Sequence, residues 1–213
     1  MSGLRWMMSL VTMMLLASSC TQSPSTNPQS AAVSWHPQQE QAGNTGTVEG
    51  ASAELVRYEE GISFQIRTEQ LIPGNAYTLW LVVINNPDAC DTQPCSGSDI
   101  LEVAETDSQV AFAGGSVAGD GRATLAGSAP VGPLAGWLPD GSLRDPFTAE
   151  VQLVINDHGP ALPEMMPGMI ETYRAGCSDD SPFPPIFPNS ALANGEPGPN
   201  TCVLFQAAVF PAL

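Results

Sequence analysis

The chain contains no lysine and only six arginines, against 22 aspartates and glutamates, so its net charge at pH 7 is −16. A surface this acidic repels the phosphate backbone of nucleic acids and anionic lipid headgroups. The composition therefore predicts no nucleic-acid partner and no direct electrostatic binding to membranes. Solubility is the plain explanation of the acidity, and attraction of cations is a functional one.

Hydrophobic runs long enough to cross a bilayer are also lacking. The apolar stretch at residues 6–17 is far shorter than the roughly 18 to 20 residues that a spanning helix needs. It follows the positive charge of Arg5 and precedes small residues, which is typical of an export signal. We therefore predict a signal peptide at residues 1–19 and no membrane-spanning anchor.

The sequence LASSC at residues 16–20 resembles the lipobox of bacterial lipoproteins, whose cysteine is diacylated on sulfur and becomes the new N-terminus. The chain has five cysteines, and lipidation of Cys20 would leave an even four for disulfides. The alternative is ordinary cleavage after Ser19. Thr21 follows the cysteine in place of aspartate, which by resemblance to enterobacterial sorting implies the outer membrane. We expect an envelope lipoprotein attached to the membrane through its lipid, with a protein or glycan partner that the sequence does not specify.

The remaining chain divides in two by composition. Residues 20–50 are rich in Ser, Thr, Gln, Asn, Pro, Ala and Gly, with no charge before Glu40, and predict a lipidated N-terminus and flexible tether. Residues 51–213 are enough for one domain with a sizeable core.

Two apolar runs predict the central strands of this domain. Residues 77–84 (YTLWLVVI) have almost no polar face and predict a strand buried on both sides. Residues 149–160 (AEVQLVINDHGP) form the second run, in which Val151, Leu153 and Ile155 are expected to face inward and Glu150, Gln152 and Asn156 outward. Shorter strand-like segments lie at residues 54–58, 62–67, 109–117, 122–125 and 202–210. In the segment 62–67, Ile62, Phe64 and Ile66 share one face. This pattern predicts an all-β fold: an antiparallel β-sandwich, Greek-key or immunoglobulin-like, with seven or eight strands.

Local signals refine this prediction at two places. The sequence AGDG at residues 118–121 predicts a tight hairpin between the strands on either side of it. One short helix is predicted between Pro163 and Arg174, with Pro167 in its first turn and Gly176 after its end.

Several motifs resemble a group of exported bacterial β domains of no established activity. They are YTLW at residues 77–80 with NNP at 85–87, and AEV at 149–151 with HGP at 158–160. The resemblance covers about residues 60 to 210. It implies the β fold and structural roles for the cysteines.

Four cysteines remain after Cys20, namely Cys90, Cys95, Cys177 and Cys202. An export signal places them in an oxidising compartment, where two disulfides are expected. Four cysteines allow three pairings, so sequence alone does not decide among them. Locality favours Cys90 with Cys95 and Cys177 with Cys202, because the first pair is separated by a short Pro-containing turn and the second closes a Pro- and Gly-rich segment.

Metal binding is the alternative function that the residues suggest. Because His158 is the only histidine after residue 50, a zinc site of two or three histidines is excluded within that domain. Carboxylates that follow the first central strand suit Ca²⁺, and a histidine with methionines suits Cu(I). The calcium candidates are Asp88, Asp91 and Asp99, and the copper candidates are His158, Met165, Met166 and Met169. Surface acidity and methionine packing explain the same residues without a metal.

Catalysis has little support in the sequence. The nearest approach to a nucleophile elbow, GGSVA at residues 114–118, lacks its final glycine, and Asp157 points away from its neighbour His158 in an extended chain. Glu150 is expected to form an ion pair with an arginine such as Arg144. We therefore predict a membrane-tethered envelope or surface module that is not an enzyme, carries no cofactor, and has a binding or structural role.

Overall fold

The computed structural model describes residues 28–182 and 197–213, and this part of the chain is an all-β sandwich. Its strands are β1 (Gln29–Ala31), β2 (Ser34–Trp35), β3 (Ser52–Tyr58), β4 (Gly61–Thr68), β5 (Asn75–Ile84), β6 (Ser108–Val117), β7 (Ala123–Pro130), β8 (Gly132–Pro133), β9 (Ser142–Leu143), β10 (Glu150–Pro160) and β11 (Val203–Phe210). Its two α-helices are α1 (Gly97–Glu102) and α2 (Gly168–Glu171). Four 3-10 helices lie at Pro37–Ala42, Pro87–Ala89, Ala104–Thr106 and Pro163–Met165.

Two antiparallel sheets form the sandwich. A four-stranded sheet has the order β1-β3-β4-β7, and a five-stranded sheet has the order β2-β11-β10-β5-β6. Strands β8 and β9 form a separate small hairpin. Among the described strands, seven are at least seven residues long, which agrees with the predicted number, and the other four are shorter.

Strand β5 lies inside the five-stranded sheet, between β10 and β6, and all ten of its residues are buried. Successive side chains of a strand point to opposite faces. Leu79, Leu81 and Val83 accordingly face the four-stranded sheet, where they join the main core. Trp80 and Val82 face outward into a second apolar cluster. The predicted burial on both faces is thus confirmed.

The main core fills the space between the sheets. Strand β4 contributes Ile62, Phe64 and Ile66, and β10 contributes Val151, Leu153 and Ile155. Apolar surface removed from water between two such layers is the main favourable term in folding. The alternating pattern of the sequence placed these residues inward, as expected.

The outer face of the five-stranded sheet is covered by shorter elements. Helix α1 begins at a capping box, in which Ser96 and Asp99 bond each other's backbone, and it places Ile100 over the sheet. Helix α2 lies over β6 at Gly115, where a Cβ atom would collide with the carbonyl of Ile170. The predicted single helix corresponds to α2, and the capping sequence at Ser96 was the signal for α1.

The hairpin predicted between β6 and β7 does not form. Strand β6 pairs with β5 and β7 pairs with β4, so residues 118–122 connect the two sheets. This turn binds the connection between β4 and β5: Leu71 donates its N–H to Gly121, and Gly74 donates to Ala118. The Asp-Gly pair makes a turn, but its long-range contacts direct the two strands to different sheets.

The prediction of a flexible tether extending to residue 50 requires correction. Strand β1 pairs with β3, β2 pairs with β11, and Val33 is fully buried in the main core. Isolated apolar residues in a polar segment were enough to dock it on the sandwich. The described residues from Gln29 to residue 50 are therefore part of the sandwich. Cys20 and the predicted signal peptide at residues 1–19 lie outside the described residues.

Candidate functional site

Both predicted disulfides are present. Cys90 bonds Cys95 and Cys177 bonds Cys202, with Cα atoms 5.5 Å and 5.4 Å apart. Locality was therefore a sound guide to the pairing. Within the described residues, no helix is long and apolar enough to cross a bilayer.

The aspartates suggested as calcium ligands have different environments in the structure. Asp99 is buried and accepts hydrogen bonds from the backbone N–H of Ser96 at 2.7 Å and of Asp91 at 2.9 Å, and from two hydroxyls. Those bonds, led by that of the Ser96 backbone, hold the pKa of Asp99 well below its usual range. Asp88 and Asp91 are exposed at the surface. Asp99 thus organises its own loop.

The residues suggested as copper ligands are engaged in packing. His158 is fully buried, with Nε2 2.9 Å from Oγ1 of Thr78 and Nδ1 2.8 Å from the carbonyl of Ala175. The sulfur of Met169 accepts the N–H of Leu162 at 3.3 Å. Met165 and Met166 pack on the small apolar cluster that contains Met169.

One group of metal-ligating side chains occurs within the described residues: His158 with Cys177 and Cys202. All three are fully buried, and Sγ of Cys177 lies 3.7 Å from Nδ1 of His158. The two sulfurs are joined in a disulfide and offer no thiolate to a metal. This group braces the end of β10 against the start of β11.

A pocket of about 110 Å³ opens on the outer face of the five-stranded sheet, between α1 and the segment after α2. Its lining is predominantly apolar and contains no aspartate, glutamate, lysine or arginine. The lining residues are His36, Trp80, Val82, Gly97, Ile100, Leu101, Val110, Gln152, Val154, Tyr173, Leu204 and Ala207. In so acidic a chain, an uncharged concave surface is distinctive.

Aromatic rings in edge-on contact support one wall of the pocket, and two of them, Trp80 and Tyr173, line it. Trp80 makes edge-on contacts with Tyr173, Trp137 and Phe112, at centroid distances of 4.9, 5.3 and 5.7 Å. The indole N–H of Trp80 also donates to Oγ1 of Thr78 at 2.8 Å, which fixes the ring. A ring held from several sides gives the pocket a preformed shape.

Glu150 and Gln152 attach the Cys90–Cys95 loop to the sheet. Oε1 of Glu150 accepts the backbone N–H of Cys95 at 3.1 Å and the side-chain N–H of Gln152 at 2.7 Å. The expected ion pair of Glu150 with Arg144 is not formed, because Arg144 pairs with Asp107 at the surface. The backbone of the disulfide loop satisfies the buried carboxylate instead.

His36 is the one histidine on the lining of the pocket. Burial lowers its pKa to about 4, so the ring is neutral at pH 7. Its Nδ1 accepts the N–H of Gln38 at 3.2 Å, at the start of the first 3-10 helix. The pocket therefore has no net charge at neutral pH.

The sequence analysis did not identify this pocket. Val82 was expected to be buried, but what covers it was not predicted. A strand that is apolar on its outward face requires a cover, and that requirement was the available signal.

No protein-family model, no curated protein and no solved structure matches this chain.

Proposed function

We propose that the protein is an exported, lipid-anchored module of the cell envelope that is not an enzyme and binds an apolar group in the outer-face pocket. The observation that carries the proposal is the preformed apolar pocket with its aromatic wall. Binding sites for small ligands are concave and mostly apolar, with a few polar groups that fix orientation.

The size of the pocket limits the ligand class. A dry cavity of about 150 Å³ accommodates benzene, so a half-open pocket of about 110 Å³ suits one aromatic ring or a short alkyl chain. The amide of Gln152 and the ring of His36 are the polar groups on the lining. No charged lining residue is available to neutralise an ionic ligand, so the preferred ligand is a neutral one.

The environment of His158 supports a role without catalysis. This ring is sealed from solvent, and both of its nitrogens are bonded within the protein. Asp157 beside it bonds Asn75 and Tyr77 rather than the ring. A general base must reach the proton that it abstracts, and a histidine so enclosed does not.

The lipid anchor is supported by the lipobox-like residues 16–20 and by the cysteine count. The other four cysteines pair with one another in two disulfides, so Cys20 has no partner within the chain. A dedicated chemical role for this fifth cysteine, such as acylation, accounts for it.

Ligand binding is tested by fluorine NMR, with fluorobenzene as the probe and the exported full chain carrying Cys20→Ala as the protein. We expect saturable binding of one fluorobenzene per chain. Ala207→Phe fills the pocket and should weaken binding by about tenfold or more, a loss of about 1.4 kcal/mol or greater. Ala126→Phe, at an exposed position of the other sheet, is the matched control and should bind like wild type.

Benzoate provides a second control, because it presents a similar ring with a carboxylate. It should bind far more weakly than fluorobenzene, since the lining offers no cation. If fluorobenzene fails to saturate wild type, or binds Ala207→Phe as well as wild type, the pocket is not a ligand site.

A further inference from the structure

The two sheets of the sandwich end in four edge strands: β1 and β7 in one sheet, β2 and β6 in the other. An edge strand presents unpaired backbone N–H and C=O groups that can pair with another chain. Natural proteins blunt such edges with short strands, bulges, covering loops or charges. An edge strand that lacks these features is therefore the one available to pair with another chain.

Three of the four edges are blunted. Strand β1 has three residues and β2 has two. Strand β6 is interrupted by a bulge opposite Leu79 and Trp80, and its first half is covered because Trp137 donates its N–H to the carbonyl of Val110. The side chain of Gln109 binds the same covering loop at Leu134 and Leu138.

Strand β7 is the exception. It has eight residues and, among the described strands, it pairs with β4 alone. The register of this pairing is unbroken: Ala123 lies opposite Thr68 at one end and Pro130 lies opposite Gly61 at the other. None of its residues is charged, and its proline stands at the last position, where the strand ends. Its outward side chains Thr124, Ala126 and Ser128 are small and exposed. Within residues 28–182 and 197–213, this edge has none of the usual protection except that terminal proline.

An apolar groove runs beside β7. It has a volume of about 330 Å³ and lies between the edge strands β6 and β7, where Phe64 and Leu81 of the main core form part of its lining. Phe112, which is 43% exposed, and Leu134 are further apolar residues of the lining. A partner on the β7 edge would cover this groove as well.

The charge distribution favours a second copy of the same chain as that partner. The chain carries −16 overall, so two copies repel each other over most of their surface. Between Asp107 and Asp140, however, the only charged residues are Asp120 and Arg122, of opposite sign. Strand β7 itself therefore carries no charge that would repel a second copy; the charged residues at its two ends are Arg122 before it and Glu60, whose carbonyl accepts the N–H of Val131, after it.

We propose that β7 pairs antiparallel with β7 of a second copy around a two-fold axis. The two four-stranded sheets would then join into one sheet of twice the width. Antiparallel pairing of identical strands is self-complementary, as a two-fold interface requires. The grooves of both copies would lie at this interface, which is separate from the ligand pocket on the other sheet.

Analytical ultracentrifugation of the exported full chain carrying Cys20→Ala tests the proposal. We expect this protein to sediment at twice the chain mass at micromolar concentration. Adding Ala126→Lys places two like charges at the dimer axis and should give the monomer mass. Adding Ser30→Lys is the matched control, because Ser30 lies in the same cross-strand row and on the same sheet, at its opposite edge. The Ser30→Lys variant should remain dimeric.

Hydrogen exchange of the Cys20→Ala chain gives an independent readout in case Ala126→Lys fails to fold. Protection of the β7 amides should increase with protein concentration, whereas protection of β1 should not. A chain that stays monomeric at high micromolar concentration overturns the proposal, as does dissociation of the dimer by both lysine variants alike. A monomer that binds a strand of another protein at β7 also overturns it.

Discussion

Oγ1 of Thr78 lies 2.9 Å from Nε2 of His158, and this contact joins the aromatic wall of the pocket to the Cys177–Cys202 end of the sandwich. The carbonyl of Ala175 can only accept a hydrogen bond, so Nδ1 of His158 carries the ring proton and donates it there. Nε2 then accepts from the Thr78 hydroxyl, whose oxygen accepts the indole N–H of Trp80. The ring is neutral in this arrangement.

This network predicts a loss of stability on acidification. Burial lowers the pKa of His158 to about 4 in the folded chain, whereas an unfolded histidine titrates near pH 6.5. The unfolded state therefore binds the proton more readily, and stability decreases as pH falls from about 6.5 to 4, by roughly 3 kcal/mol for this residue. Urea unfolding at a series of pH values measures the loss.

Two other titratable groups, His36 and Asp157, also contribute to the change of stability with pH, and they determine the controls. His36 has a similarly lowered pKa and adds to the slope, so His158→Gln and His36→Gln should each remove one part of it. Burial raises the pKa of Asp157, which contributes in the opposite direction. NMR of wild type gives a direct test: titration of the His158 ring near pH 6.5 would contradict the prediction.

Arg57 is predicted to be essential for stability. Its guanidinium is 1% exposed and donates to the carbonyls of Pro146, Ala149, Phe210 and Pro211 and to the side chain of Gln29. Arg57→Met removes these bonds and leaves buried acceptors unpaired, so we expect a loss of about 3 to 5 kcal/mol in the free energy of unfolding.

Arg67→Met is the matched control for Arg57, because Arg67 is an exposed arginine on the neighbouring strand. It should change stability by less than about 0.5 kcal/mol. Urea unfolding of both variants makes the comparison. Equal effects of the two substitutions would show that the bonds of Arg57 to Gln29 and to the C-terminal residues Phe210 and Pro211 do not stabilise the domain.

The roles of Arg57 and β5 show what the sequence could and could not predict. The apolar run of β5 requires burial on both faces wherever it lies, so its place in the interior of a sheet was predictable. The partners of Arg57 are mainly backbone carbonyls from distant segments, which carry no sequence signal. The pocket was missed for the same reason, since it depends on how α1 and Tyr173 cover Val82 and Val154.

Trp80→Ala is predicted to destabilise the domain strongly. The Trp80 ring is 2% exposed and contacts three other aromatic rings. Truncating a buried tryptophan typically costs about 3 to 5 kcal/mol, which is much of a domain's stability. Phe112→Ala, in the same cluster but 43% exposed, should cost clearly less. Thermal unfolding compares them, and a Trp80→Ala protein that melts within a degree or two of wild type would contradict the assignment.

The two disulfides are predicted to contribute unequally. Cys177–Cys202 spans 25 residues and Cys90–Cys95 spans five. On the loop-entropy model the long bridge stabilises by about 3.5 kcal/mol and the short one by about 2 kcal/mol. Cys177 and Cys202 are also fully buried beside His158. Replacing each pair by serines should therefore lower the free energy of unfolding more for the long bridge, and the reverse order would show that strain or local packing dominates.

Cys20 is predicted to carry the lipid that attaches the protein to the membrane. It follows the lipobox-like residues 16–19, and the four other cysteines are paired with one another. Two or more acyl chains give stable attachment where a single chain gives only reversible binding.

Metabolic labelling with an alkynyl fatty acid, followed by membrane fractionation, should find wild type labelled and sedimenting with membranes. Cys20→Ala should lose the label and become soluble, whereas Ser18→Ala, which keeps the cysteine and a small residue before it, should behave like wild type. Label that persists in Cys20→Ala, or is absent from wild type, would rule out this anchor.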